Sequence, residues 1–133
     1  MQNDTVKKIQ EYALEEIMGL RFGAYAKEII QDRAIPDVRD GLKPVQRRIL
    51  YDMYINHNDA LHPFMKCAKT VGDVLGKFHL HGDSSDNDAM ACLSQWWKQS
   101  SHLIDIPGSN DSFNGVRTAA YRCTEAILSN VAN

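Results

Sequence analysis

The chain has 133 residues, of which 44% are hydrophobic and 24% are charged, and its formal net charge at pH 7 is −2. These values are typical of a soluble globular protein with one ordinary core. No apolar run approaches the roughly 20 residues that a membrane-spanning helix needs. The first residues lack the apolar core of a signal peptide, so we expect a cytoplasmic protein.

Cysteine usage and charge distribution narrow the class of protein further. Cys67, Cys92 and Cys123 are odd in number and far apart, which argues against a disulfide framework and against a zinc site, so no metal is expected. Residues 21–81 carry ten Lys and Arg against seven Asp and Glu, whereas residues 82–133 carry three against six. This basic middle segment favours binding to a polyanion, with a modest and strongly salt-dependent affinity.

The N-terminal segment predicts two helices. Apolar residues recur at helical spacing over about residues 5–18, and Gly19 is expected to end this first helix. A second helix is expected over about residues 21–32. We therefore divide the chain into an N-terminal helical arm, residues 1–19, and a domain that spans residues 20–133.

The stretch from Arg33 to Tyr51 combines a rigid turn with a basic helix start. Pro36 and the dipeptide Asp40-Gly41 predict the turn, and Pro44 opens a helix that should run to about residue 56. A phosphate group would find both cations and N–H donors at such a helix start. A solvated helix start without a ligand is an equally good interpretation. The polar side chains concerned are Lys43, Gln46, Arg47 and Arg48.

The second half of the chain predicts a helix-turn-helix followed by a β-wing. Helices are expected over residues 66–78 and about 84–97, and the second would be the recognition helix. A strand over residues 102–106, a return strand over 116–122 and a last helix capped by Thr124 complete the pattern. We therefore predict a mainly α fold with a small β-wing, a winged-helix domain containing a helix-turn-helix. Its core should contain Val45, Ile49, Met53, Val71, Leu75, Met90 and Leu93.

The stretch RAIPDVRDGLKPVQRRILY, residues 33–51, resembles the A subunit of bacterial type IIA topoisomerases, which are DNA gyrase and topoisomerase IV. The segment KCAKTVGDVLGKFH, residues 66–79, is also similar, and YAKEIIQD, residues 25–32, is closer to the topoisomerase IV version. The resemblance covers about residues 20–133 and implies a winged-helix fragment of the DNA breakage-reunion domain. Such enzymes are isomerases that cleave and reseal duplex DNA through a phosphotyrosine link.

The residues around position 123 depart from the motif of that family. The family has A-A-M-R-Y-T-E-A-R-L-S, whereas residues 119–129 read AAYRCTEAILS, so Cys123 stands at the position of the attacking tyrosine. Arg122 is kept, and Tyr121 lies two positions early. Two other nucleophiles remain possible, the Tyr121 hydroxyl and the Cys123 thiol. Tyr121 would be displaced from the family position, and a displacement of about 1 Å can greatly lower the rate of attack. A thiol is a poorer nucleophile than a hydroxyl towards phosphorus, and its side chain is shorter. We therefore expect a cleavage-deficient chain.

The resemblance assigns roles to other residues. Arg33 would approach the scissile phosphate, His79 would lie beside the nucleophile, and His81 would lie near the DNA backbone. The resemblance also implies quinolone drug binding through a water-coordinated metal at Ser84 and Asp88. The departures from the family pattern are Leu80, Asp86, Asn87 and Asp111. The full set expected to bind DNA is Lys43, Gln46, Arg47, Arg48, His81, Ser84 and Ser85.

The partners implied by the resemblance are double-stranded DNA, the B subunit of a topoisomerase and a second copy of the full A subunit. Mg²⁺ and ATP are expected on the B subunit, so no cofactor is expected in this chain. The alternative function is a non-catalytic DNA-binding or dimerisation module, which the cysteine at position 123 favours.

Overall fold

The structure is a computed structural model that describes residues 12–78, 82–108, 110 and 118–132. The chain divides into two compact units, the first ending at Ile35 and the second beginning at Pro36. The predicted division into an arm, residues 1–19, and a DNA-binding domain stays a prediction.

The described part of the first unit is one continuous helix. Helix α1 runs over Leu14–Ile29 and passes into a π-helical turn, Ile30–Ala34. The prediction that Gly19 ends a helix is therefore wrong. Glycine costs about 1 kcal/mol inside a helix, but the good helix formers around Gly19 maintain the helix. No side chain of α1 is buried, and residues 5–11 lie outside the described part of the chain.

The second unit contains three of the four helices that the sequence predicts after Pro36. Helix α2 spans Pro44–Ile55, α3 spans Cys67–Lys77 and α4 spans Asp83–Ser94. Helix α4 ends three residues earlier than predicted, because Gln95 has an extended backbone. Helix α2 packs against both α3 and α4.

A small antiparallel sheet holds the ends of these helices together. Its strands are β1, Met65–Lys66, β2, Ile104–Asp105, and β3, Glu125–Leu128, in the order β1-β3-β2. Met65 lies opposite Ala126, and Ile104 lies opposite Leu128. The strand predicted over residues 102–106 is therefore confirmed at its centre. The described residues of the unit contain three helices, with α4 following α3, and this three-stranded sheet. The predicted mainly α, winged-helix fold class is therefore confirmed.

The end of the chain differs from the prediction. Residues 121–123 form a turn rather than the end of a return strand, and Glu125–Leu128 is the central strand rather than a helix. Thr124 does not cap a helix, because a strand follows it. Its carbonyl oxygen accepts a hydrogen bond from the Cys67 N–H at 3.0 Å. Glu, Ala and Leu favour helices locally, but burial and pairing on both edges override that preference in β3.

The core joins all three helices to the sheet. Val45 and Leu75, two of the predicted core residues, are only partly buried and pack against it. Val74, next to Leu75, is fully buried, so the buried face of α3 is rotated by one residue from the predicted face. The core residues are Ile49, Met53, Cys67, Val71, Val74, Met90, Leu93, Ile104, Ala126 and Leu128.

Candidate nucleic-acid interface

The first candidate surface is the turn that leads into α2, which we call the basic turn, residues 37–48. The Asp37 N–H donates to the Leu42 carbonyl at 2.9 Å, and the Gly41 N–H donates to the Asp37 carbonyl at 2.7 Å. Gly41 has a φ of 72°, a conformation that glycine adopts without steric cost. The side chain of Asp40 accepts a hydrogen bond from the Leu42 N–H at 3.0 Å. These contacts form the turn that the sequence predicts.

The start of α2 uses one of the predicted DNA-binding side chains for its own capping. Pro44 occupies the beginning of the helix, and the Gln46 Oε1 accepts a hydrogen bond from the Lys43 N–H at 2.9 Å. The Lys43 side chain is exposed beside this cap, whereas Arg48 is partly buried. A cation and the first turn of a helix therefore lie together on the surface of the second unit.

Two acids of the basic turn bind two of its three arginines. The Arg47 Nη2 lies 2.7 Å from Oδ2 of Asp40 and 3.3 Å from Oδ2 of Asp37. The Arg39 guanidinium binds the same Asp37 carboxylate through Nε at 3.1 Å and Nη2 at 2.7 Å. Hydrogen bonds from Arg39 hold the pKa of Asp37 well below its usual range. The Leu42 N–H, and then Arg47, lower the pKa of Asp40. Both carboxylates stay ionised and offset the charge of the two arginines.

The second candidate surface is the turn that carries Cys123. The Cys123 N–H donates to the Ala120 carbonyl at 2.7 Å, and the Ala68 N–H at the start of α3 donates to the Tyr121 carbonyl at 3.1 Å. Strand β3, which follows at once, fixes the other end of the turn. Arg122 and Cys123 are exposed. The fold thus exposes two consecutive residues of this turn, a cation and a thiol, to solvent.

Tyr121 turns towards α4. Its hydroxyl donates a hydrogen bond to Oδ2 of Asp83 at 2.7 Å. That bond to Asp83 raises the pKa of Tyr121 and lowers the pKa of Asp83 itself. A phenol attacks phosphorus as its anion, and a neighbouring carboxylate disfavours that anion. Sequence reasoning missed Asp83, which lies 38 positions before Tyr121 and carries no local signal of the contact.

The start of α4 carries three further polar residues that the sequence predicts to bind DNA or a drug. Ser84, Ser85 and Asp88 are exposed. The Ser85 hydroxyl donates to the Gly82 carbonyl at 2.9 Å, so it stabilises the helix start. Ser84 and Asp88 lie four residues apart and share one face of the helix.

Three further site residues are predicted from the sequence: Arg33, His79 and His81. Arg33 is exposed in the π-helical turn of the first unit. His79 and His81, together with Leu80 and Asp111, lie outside the described residues. In the part of the chain that the structure describes, no three His, Cys, Asp or Glu side chains are placed to hold a metal ion. No helix there is long and apolar enough to cross a membrane.

The sequence matches one protein family and individual proteins of that family. Residues 33–133 match the sequence model of the family formed by the A subunits of DNA gyrase and topoisomerase IV. The chain is 54% identical over 127 residues to the A subunit of DNA topoisomerase 4 from Streptococcus pneumoniae serotype 4, covering 96% of this chain and 15% of that protein. It is 57% identical over 124 residues to the protein of the same name from Staphylococcus aureus, covering 93% of this chain and 16% of that protein.

The family match covers more than half of the chain, and it includes both the basic turn and the Cys123 turn. The described helices and sheet of the second unit lie within the matched residues. The chain therefore belongs to the family of DNA gyrase and topoisomerase IV A subunits.

Proposed function

We propose that this chain is the DNA-binding portion of the A subunit of a type IIA topoisomerase and that it does not cleave DNA. One observation carries the proposal: the family match runs through residues 33–133, yet the position of the attacking tyrosine holds Cys123. The chain spans 15% to 16% of the length of the curated relatives named above. The activity of the whole protein is accordingly part of the proposal.

The basic turn and α4 form the proposed DNA contacts. Lys43 is exposed at the start of α2, where a helix terminus and a cation favour phosphate together. Ser84 and Ser85 lie at the start of α4, the proposed recognition helix, and exposed hydroxyl groups there can contact phosphate or base edges. Gln46, Arg47, Arg48 and His81 complete the proposed contact set.

Cleavage requires a nucleophile as well as groups that stabilise the phosphorane. Arg33, Arg122 and His79 are proposed to stabilise the charge on the reacting phosphate, but none of them starts the attack. The Tyr121 hydroxyl is held by Asp83 at 2.7 Å, and a thiol at position 123 is shorter than a phenol. Loss of the nucleophile usually outweighs every other loss in an active site.

The proposed partners are double-stranded DNA, the B subunit of the topoisomerase and a second copy of the A subunit. The Mg²⁺ and ATP of the reaction are proposed to bind to the B subunit. The exposed pair Ser84 and Asp88 is the proposed site for a quinolone drug with its water-coordinated metal. Because Cys123 replaces the nucleophile, a non-catalytic DNA-binding or dimerisation module is the second candidate function.

DNA binding is tested by titrating a labelled duplex with the chain and following fluorescence anisotropy at several salt concentrations. Several phosphate contacts give a log affinity that falls linearly with log salt, with a slope of about −0.9 per contact. A folded chain that binds no duplex even at low salt would contradict DNA binding. Sedimentation of the same sample would then show whether it is a dimerisation module.

The absence of cleavage is tested with the A subunit that carries this sequence, its B partner and Mg²⁺. The unaltered protein should form no covalent complex with DNA, whereas Cys123→Tyr restores the nucleophile that the family uses. A complex formed by the unaltered protein and lost on Tyr121→Phe would show that the nucleophile has moved. A complex lost instead on Cys123→Ser would assign the attack to the thiol.

A further inference from the structure

The Arg47 guanidinium already binds two anions in the basic turn. Its Nη2 lies 2.7 Å and 2.9 Å from the two oxygens of Asp40, and 3.3 Å from Oδ2 of Asp37. A carboxylate and a phosphate present similar oxygen acceptors to a guanidinium. The same hydrogens of Arg47 therefore serve either the acids of the turn or a phosphate of the DNA backbone.

The contact is open to solvent, so a phosphate can compete for it. The Arg47 side chain is 44% exposed and that of Asp40 is 36% exposed. Ion pairs at this degree of exposure are weak, because water screens them and ordering two side chains costs entropy. Duplex DNA concentrates negative charge along its backbone, so it can replace a single carboxylate at an exposed arginine.

We propose that Asp40 sets the DNA affinity of this chain by competing with a backbone phosphate for Arg47. The inference rests on the proposed DNA-binding function and adds a residue that opposes it. In the free protein Asp40 occupies the guanidinium, and in the complex a phosphate takes its place. Part of the binding free energy is then used to break the contact between Asp40 and Arg47.

Asp40 is the better of the two acids to test. Asp37 also binds Arg39 through two side-chain hydrogen bonds and accepts the Arg39 N–H at 3.0 Å, so its loss would disturb the turn. Asp40 has one backbone hydrogen bond, from the Leu42 N–H to Oδ1 at 3.0 Å. An asparagine at position 40 keeps an oxygen for Leu42 and removes the charge that holds Arg47.

The experiment is a double-mutant cycle on the whole chain with four proteins: unaltered, Asp40→Asn, Arg47→Gln and the double variant. A duplex labelled with fluorescein is titrated at salt concentrations from about 0.05 to about 0.3 M, spanning the usual range of such measurements. Asp40→Asn should raise the affinity by up to about fivefold, which is the cost of breaking one exposed ion pair. The salt slope should stay about the same, because Arg47 contacts a phosphate in both complexes. In the Arg47→Gln background the same change should give little gain, because the guanidinium is absent.

The outcomes separate the possible causes. An equal gain from Asp40→Asn in both backgrounds would overturn the proposal, because removal of any negative charge near DNA would explain it. A loss of affinity on Asp40→Asn, with an unchanged thermal transition, would also overturn it and would make Asp40 a positioning residue for Arg47. An unaltered, folded chain that binds no duplex would overturn the proposed function, and this inference with it.

Discussion

Replacing Asp52 by asparagine should stabilise the second unit at neutral pH. Asp52 lies in the middle of α2 and is fully buried, with 0% of its surface exposed. Neither carboxylate oxygen has a hydrogen-bond partner among the described residues, since the Asn56 amide donates to the backbone carbonyl of Asp52 instead, at 2.9 Å. Burial raises the pKa of Asp52, and the nearby Asp73 carboxylate raises it further. Lys77 and the side-chain amide of Asn56 have smaller, opposing effects on this pKa.

The sign of the pH dependence follows from that raised pKa. The unfolded carboxyl group titrates near pH 3.9, so below that pH both states hold the proton and the charge costs nothing. As the pH rises towards the raised pKa of the folded state, the unfolded chain releases its proton first and stability falls. A neutral buried polar group without a partner costs about 1–3 kcal/mol, and a charged group in the same place costs more. Asparagine removes only the charge, so we expect Asp52→Asn to gain about 1–2 kcal/mol at pH 7 and almost nothing near pH 3.5.

Urea unfolding followed by circular dichroism measures this difference directly. The matched control is Asp88→Asn, the same change at an exposed position of α4, which should alter the free energy of unfolding by less than about 0.5 kcal/mol. A loss of stability in Asp52→Asn at pH 7 would refute the reasoning, because it would mean that the carboxylate has a favourable partner. A gain of the same size at both pH values would refute the role of the charge.

The fold and the basic turn give three further predictions. Leu128→Ala, in the buried central strand, should lower the free energy of unfolding by about 2–5 kcal/mol, whereas Leu61→Ala, 84% exposed, should change it by less than about 0.5 kcal/mol; urea unfolding distinguishes them. Gly41→Ala should lower the free energy of unfolding by about 1–2 kcal/mol, because residue 41 has a positive φ that alanine adopts only with strain. Gly72→Ala should raise it by about 0.5–1 kcal/mol in the same assay, because there is open space for a Cβ at this position of α3. Lys43→Ala should weaken binding to all duplex sequences alike and make the salt slope shallower by about one, as measured by anisotropy; an effect on one sequence only would contradict a phosphate contact.

The parts of the fold that local signals determine were predictable. Pro44 and the Asp40-Gly41 dipeptide predict the turn and the start of α2, and the structure confirms both. Strand β3 was not predictable in the same way, because its residues favour a helix locally. It becomes a strand through pairing with Met65 and Ile104, which are distant in sequence.

The candidate interface shows the same limit for side chains. The sequence places Arg47 in a basic cluster, but charge counts do not reveal that Asp40, seven positions earlier, folds back onto its guanidinium. The contact between Tyr121 and Asp83 joins the Cys123 turn to the first residue of α4, which lies 38 positions earlier in the chain. In both cases the sequence shows which residue types are present, whereas the contact between the two side chains depends on how the backbone folds.

The proposed loss of cleavage means that no residue of this chain attacks DNA. The most direct measurement is mass spectrometry of the peptide that contains residues 119–129, after the A subunit has been incubated with its B partner, Mg²⁺ and duplex DNA, denatured, and digested with nuclease and protease. We predict that this peptide has its unmodified mass in the unaltered protein, and that a nucleotide is attached only in the Cys123→Tyr variant. A nucleotide attached to Tyr121 or Cys123 of the unaltered protein would contradict the claim and would identify the nucleophile.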